Sequence, residues 1–318
     1  MAQAGESMAT AGGLPPARPR RRAGLSIYSI LLIMLLSVSV LSSIVVGIIG
    51  YFNGSQALRD VAYEKLVEVR ESRAREVQSL FASIENAVVL SAMNETSRQA
   101  VTDFSAGFDE LDGAEPDPQA WEEVAAYYDE TFAAQLTAAT GEDVDGATFV
   151  PSRGAQVYLQ SRYVVPFDDW ESAISQTDAG DGSAWSRAHA LYHPYYRAMT
   201  QRHDFEDVVM IDTRGRVVYT AFKGVDLGTD LLEGPYRLSN LAAAYRTAVD
   251  RNIATEVVLA DFAPYSPSLG TPAGWAVTLI VDDGDVLGAL AIELPIDRIN
   301  DVMTVDGRWD VTLRDTLA

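Results

Sequence analysis

Three histidines are the chain's only candidates for imidazole chemistry: His189, His193 and His203. His189 and His193 are four residues apart in a stretch that reads as helix. That spacing puts both rings on one helix face, where a metal would need them. The intervening run is His-Ala-Leu-Tyr-His, without the glutamate of an H-E-x-x-H site. The chain has no cysteine to supply a third ligand. Packing of the two rings is therefore the favoured reading, and no metal or cofactor is expected. Asp143 with Asp145, and Asp178 with Asp181, lie in Gly-containing loops that lack the calcium-loop pattern and read as Asx turns. No nucleophile elbow, P-loop or dinucleotide fingerprint is present. The sequence points to binding, not to an enzyme.

A binding site needs shaped apolar walls and a few polar ends. Tyr219, Phe222, Tyr236, Tyr265 and Trp275 supply aromatic candidates, and Lys223, Asp226, Asn240 and Asp261 supply polar ones. Each aromatic suits core packing as well as ligand contact.

These residues belong to a segment with strand texture. Val208–Ile211 and Arg216–Phe222 flank Asp-Thr-Arg-Gly as a hairpin. Ser239 suits the N-cap of a helix over Leu241–Val249. Glu256–Phe262, Trp275–Val281 and Val286–Leu294 read as three more strands, the last two joined by Asp-Asp-Gly-Asp. Two strands, a helix and three strands predict a five-stranded antiparallel sheet with helices, leaving a pocket under the connecting helix. Upstream, Trp121–Ala139, Gly154–Val165 and Ala184–Arg202 have helical spacing within an otherwise irregular stretch.

Nearer the N-terminus the pattern changes again. Leu25–Phe52 is an uncharged run of 28 residues, about 42 Å as a helix. It is long enough to span a bilayer and too long for the apolar region of a signal peptide. From Ser55 to Asn94, apolar residues recur at spacings of three and four, predicting a long stalk helix. Its membrane-near stripe, Leu58, Ala62, Leu66 and Val69, is the expected contact of a parallel homodimer. Removing the five arginines and one glutamate before Asp60 from the 24 basic and 45 acidic residues leaves a net charge of −25. Such a surface repels phosphate, so nucleic acid is not an expected partner.

Two stretches carry a family resemblance. One comprises Ile211-Asp212-x-x-Gly215-x-Val217-Val218-Tyr219, Ala260-Asp261-Phe262-x-Pro264-Tyr265, and Gly288 through Ile299. The other runs from Asp181 through Trp185, His189 and His193-Pro194 to Lys223 and Asp226. Together they resemble the Cache domain, a PAS-like extracytoplasmic sensor found in bacterial chemotaxis-type receptors and membrane adenylate or guanylate cyclases. The resemblance implies an α+β fold and an unidentified small-molecule ligand. Relatives of this kind carry a second span and an output module after the exit helix, which here would be Asp297–Met303.

The expected organisation is a cytoplasmic tail (1–24), a transmembrane helix (25–52), a stalk helix (53–95), a helical subdomain (96–203), a Cache-like sensor domain (204–303) and a C-terminal tail (304–318). The function implied is extracytoplasmic sensing by a single-pass receptor of the cell membrane, signalling through stalk-helix packing. The alternatives are a truncated receptor or tethered binding module with no output of its own and, behind both, an exported enzyme.

Arg18, Arg20, Arg21 and Arg22 precede the apolar run, and no charge follows it before Arg59. The positive-inside rule then places the N-terminus in the cytoplasm. Protease added to intact spheroplasts is expected to digest the globular part; protection of that part until lysis would reverse the topology.

Overall fold

The computed structural model describes residues 26–114 and 117–304. The arginine cluster at 18–22, both predicted tails apart from Thr304, and Leu25 lie outside them. The chain divides into two compact units, Met1–Arg70 and Glu71–Ala318.

In the first unit the described chain is helix. Helix α1 is assigned over Ile27–Ala92. Among the described residues it is the one helix long and apolar enough to cross a membrane. Its apolar side chains point outward all round: Ile27, Leu35, Val46 and Phe52 are all exposed. A helix apolar on every face calls for apolar surroundings on all sides and does not fit one side of a water-facing core.

In the second unit, the α1 positions that turn into a core are Leu80, Ile84 and Val88. The chain then reverses at Asn94, whose side chain accepts from Thr96 N–H and caps α2, Glu95–Asp112. Helix α3 (Pro118–Ala126), a π-helical turn (Tyr127–Phe132) and α4 (Ala133–Thr140) follow without a break. Next come α5 (Gly154–Tyr163), α6 (Trp170–Ser175) and α7 (Ala184–His203). The strands are β1 (Asp207–Asp212), β2 (Val217–Thr220), β3 (Val258–Pro264), β4 (Pro272–Asp282) and β5 (Asp285–Glu293). Helix α8 (Asn240–Arg251) lies between β2 and β3, and α9 (Ile296–Thr304) closes the described chain.

The five strands form one antiparallel sheet in the order β2-β1-β5-β4-β3, as the sequence pattern and the Cache resemblance imply. Every residue of β1 and β2 is buried, and so are most of β4 and β5. Consecutive burial means that both faces are covered. One continuous core joins the sheet to α2, α5 and α7.

The Asp181–Pro194 motif explains part of that joint. Asp181 accepts from Ser183 N–H and Ser186 O–H, Ser183 caps α7, and the Trp185 indole donates to the Val218 carbonyl at 2.8 Å. Helix α2 comes close to α7 because it presents Gly107. A Cβ there would lie 2.7 Å from the Trp185 backbone.

An ion cluster ties α2 to the β1–β2 turn. Asp212 accepts from the Arg214 and Arg216 backbone N–H groups, each at 2.9 Å. The Arg216 guanidinium, 2% exposed, pairs with Asp212 at 2.5 Å and with Asp109 of α2 at 2.7 Å. Replacing Arg216 leaves the Asp212 charge buried without its cation. Arg216→Ala is expected to lower the unfolding free energy by about 3–5 kcal/mol. Arg214→Ala, whose side chain is 64% exposed, should cost no more than about 1 kcal/mol. Urea denaturation of both variants checks the contrast.

Candidate functional site

A cavity of about 640 Å³ opens at one end of the sheet, a volume that suits a small organic molecule. It does not lie under α8, where the sequence pattern places it. Leu241, Ala244, Tyr245 and Ala248 fill that side of α8 with buried contacts. The cavity is walled instead by the segment around α6, the π-helical turn, the loop after β2, the β3–β4 loop and the ends of β1 and β5.

The loop after β2 is fixed by a carboxylate. Asp207 Oδ1 accepts from the Val208, Ala221 and Phe222 N–H groups at 2.6, 2.9 and 3.1 Å. That ends β2 two residues before the sequence pattern does and turns Phe222 and Lys223 into the cavity wall. Lys223 takes a left-handed backbone, with φ 59°, a conformation costly for a residue with a Cβ. Its N–H donates to Thr220 Oγ1, and its Nζ donates to the Ala173 carbonyl of α6 at 2.7 Å. Tyr128 and Gln160 clamp the far side of the loop through the Val225 and Leu227 carbonyls.

The other walls are equally constrained. Tyr127 and Phe132 line the cavity from the two ends of the π-helical turn; such turns re-aim side chains within an otherwise continuous helix. Leu269, at the tip of the β3–β4 loop, also has positive φ, at 54°. Trp170 packs on Phe222, with ring centroids 5.1 Å apart, while remaining largely exposed.

The electrostatics are acidic. Burial, and then the neighbouring Asp226 charge, hold the Asp207 carboxyl well above the usual range despite its three N–H donors. Burial also raises Asp226, which accepts from Tyr265 O–H at 2.8 Å. Glu293, at the end of β5, is raised by burial and then by Asp207, Asp226 and Glu206. Lys223 is pushed down to about 7, chiefly by burial, with Asp207 opposing.

Of the sequence candidates, Phe222, Lys223, Asp226 and Tyr265 line the cavity. Tyr219 is buried against Phe104 and His193, Tyr236 stacks on Phe149, and Trp275 is in the sheet core. Asn240 donates to the Asp261 and Ala273 carbonyls, so it and Asp261 fasten α8 to the β3–β4 hairpin. Asp207, Glu293, Tyr127 and Trp170 line the cavity and were not candidates.

The histidines sit beside the cavity's back wall. Their rings stack with centroids 4.3 Å apart. His189 Nδ1 meets the Thr177 carbonyl, and His193 Nε2 meets the Ile174 carbonyl at 2.6 Å. Both nitrogens facing carbonyls must carry protons, which leaves His193 Nδ1 to accept from Tyr219 O–H. Among the described residues, no three acidic or histidine side chains are placed to share a metal ion.

No family model matches the chain, and no curated protein does. Solved structures similar to it are sensor domains. The sensor domain of the V. cholerae histidine kinase DctB is 14% identical over 53% of this chain and 56% of its own, with a TM-score of 0.28. The sensory domain of the Campylobacter jejuni chemoreceptor Tlp3 with isoleucine bound is 12% identical over 66% of each chain, with a TM-score of 0.27. The chain thus spans little more than half of the DctB domain's length.

Because Glu293 is raised in the fold, the folded state holds its proton after the unfolded chain has lost it. Stability from this group is complete below the unfolded value and drains as pH rises through the folded one. His189 and His193, held neutral by burial, and Lys223 act with the opposite sign, so the informative quantity is a difference. Glu293→Gln is expected to gain on wild type as pH rises above about 4.5, with a limiting slope of about 1.4 kcal/mol per pH unit. Parallel denaturation curves from pH 5 to 8 would count against a raised Glu293.

Proposed function

We propose that this chain is the sensory part of a membrane receptor. In this reading a small molecule binds in the cavity at the end of the sheet, and occupancy biases how the α1 helices of two copies pack. The observation that carries the first half is the construction of the cavity. It combines aromatic walls, two residues in left-handed backbone and the buried carboxyls of Asp207 and Asp226, and such costly features gather at binding sites. The second half is supported by α1 itself. In one chain Leu58 is 73% exposed and Leu66 46% exposed, on the stripe that a second helix would cover. Sensor and stalk then need only two packings a few kcal/mol apart.

A thermal-shift screen of the full chain in nanodiscs tests binding, since a ligand for the native state raises the melting temperature. The ligand found should bind at least tenfold more weakly to Trp170→Ala and Phe222→Ala; unchanged affinity in both would move the site elsewhere. For the stalk, Leu58→Cys and Leu66→Cys are expected to cross-link in membranes, and Glu64→Cys and Glu68→Cys are not. Equal cross-linking around the helix, or none, would remove the dimer.

A further inference from the structure

The charge of the cavity narrows what it can hold. Asp207, Asp226, Glu293 and Glu206 line it, while Lys223 is the one basic residue lining it among the described residues. Lys223 is not free to meet an anion. Its Nζ is turned to the Ala173 carbonyl and contacts the His193 ring, and it makes no ion pair among the described residues. A ligand carboxylate or phosphate would enter beside several acids with no cation to receive it.

Two further observations fix the sign of the missing partner. Asp207 is 5% exposed. Its Oδ1 is filled by three N–H groups, while among the described residues no protein donor meets its Oδ2. This oxygen is not fully enclosed, and Asp207 lines the cavity. Glu293 likewise has no protein donor among the described residues. Asp207 and Glu293 are opposite each other across β1 and β5, so one group bearing several N–H donors can serve both. Trp170, Phe222 and Tyr127 line the same cavity and offer ring faces that attract cations.

We infer that the cavity takes a small organic amine, protonated and without a carboxylate, whose ammonium is received by Asp207 Oδ2 and Glu293. This rests on the reading of the cavity as a ligand site and adds the ligand's class. An ammonium between these groups supplies the donors they lack and favours the ionised forms that burial opposes. The aromatic wall then discriminates among amines by the body they carry.

Calorimetric titration of the full chain in nanodiscs tests this with matched probes: 2-phenylethylamine and 1,4-diaminobutane, against 2-phenylethanol and 3-phenylpropionate. At least one amine is expected to bind, with the alcohol and the carboxylate at least tenfold weaker. Glu293→Gln and Asp207→Asn should each weaken the amine about tenfold or more. Asp207 also holds three backbone groups and its variant is open to misfolding; Glu293 holds none, so its variant decides alone if the other fails to fold. A carboxylate bound as tightly as the amines, or amine binding untouched by Glu293→Gln, overturns the inference. So does the absence of binding by both amines. Any other ligand lost in Trp170→Ala would then leave the cavity standing as a binding site of a different class, whereas no ligand of any class would remove both readings.

Discussion

The end of the sheet is organised by one buried carboxylate. Asp207 opens β1, and its Oδ1 gathers N–H groups from its own strand and from the exit of β2. Removing a carboxylate from water is costly unless donors replace the water, and here the backbone supplies them on one oxygen only. The same three bonds force the chain to leave the sheet at Ala221. That places Lys223 in left-handed backbone and sends the Lys223–Leu227 loop across the cavity. Without this anchor, β2 has no reason to stop where it does, because Ala221 and Phe222 continue its apolar run.

The loop so placed fixes a second wall. The last carbonyls of α6 have few partners within so short a helix, and only that of Ala173 is met locally, by the Gln176 N–H. Lys223 Nζ takes that of Ala173, and His193 Nε2 takes that of Ile174. The histidine pair thus acts through its protons, not through lone pairs offered to a metal. His193 donates to α6 and accepts from Tyr219, and His189 donates to Thr177. Burial holds His189 and His193 low, the latter to about 3, which suits donors that must stay neutral while Lys223 stands nearby. Segment, loop and helix α7 therefore share one network, and Trp170 is carried on the element that this network holds.

The sheet was legible because its signals are local. Turn residues at Asp212–Gly215 and Asp282–Asp285 and the Ser239 cap fix where strands and α8 begin, and all five strands and α8 appear near those positions. Helices α2 and α6 were not separated from irregular chain. Glu95–Asp112 carries Ser, Thr, Gly and Asp at positions that weaken a helical pattern, and α6 is six residues long. The site was half legible. Lys223 and Asp226 are polar residues next to aromatics in a loop, which is a visible signal. Glu293 ends an apolar run, and Asp207 reads as a residue before a strand; neither pattern reports that the position opens into a cavity. Tyr219 and Trp275 could not be told from wall residues, because a sheet covered on both faces loses the alternation that would assign its sides; Tyr236 lies in an irregular loop, which has no period to assign a side.

Helix α1 poses a separate problem of solvent. Its uncharged part exposes large apolar side chains on every face, as at Ile33, Leu36 and Ile44, and such a surface calls for apolar surroundings on all sides. From Arg59 onward the composition changes. Arg59, Asp60, Glu64, Lys65, Glu68 and Arg70 are interleaved with Leu58, Val61, Tyr63, Leu66 and Val67, which remain exposed in one chain. The charges need water, so this part of the helix cannot share the surroundings that suit the uncharged part.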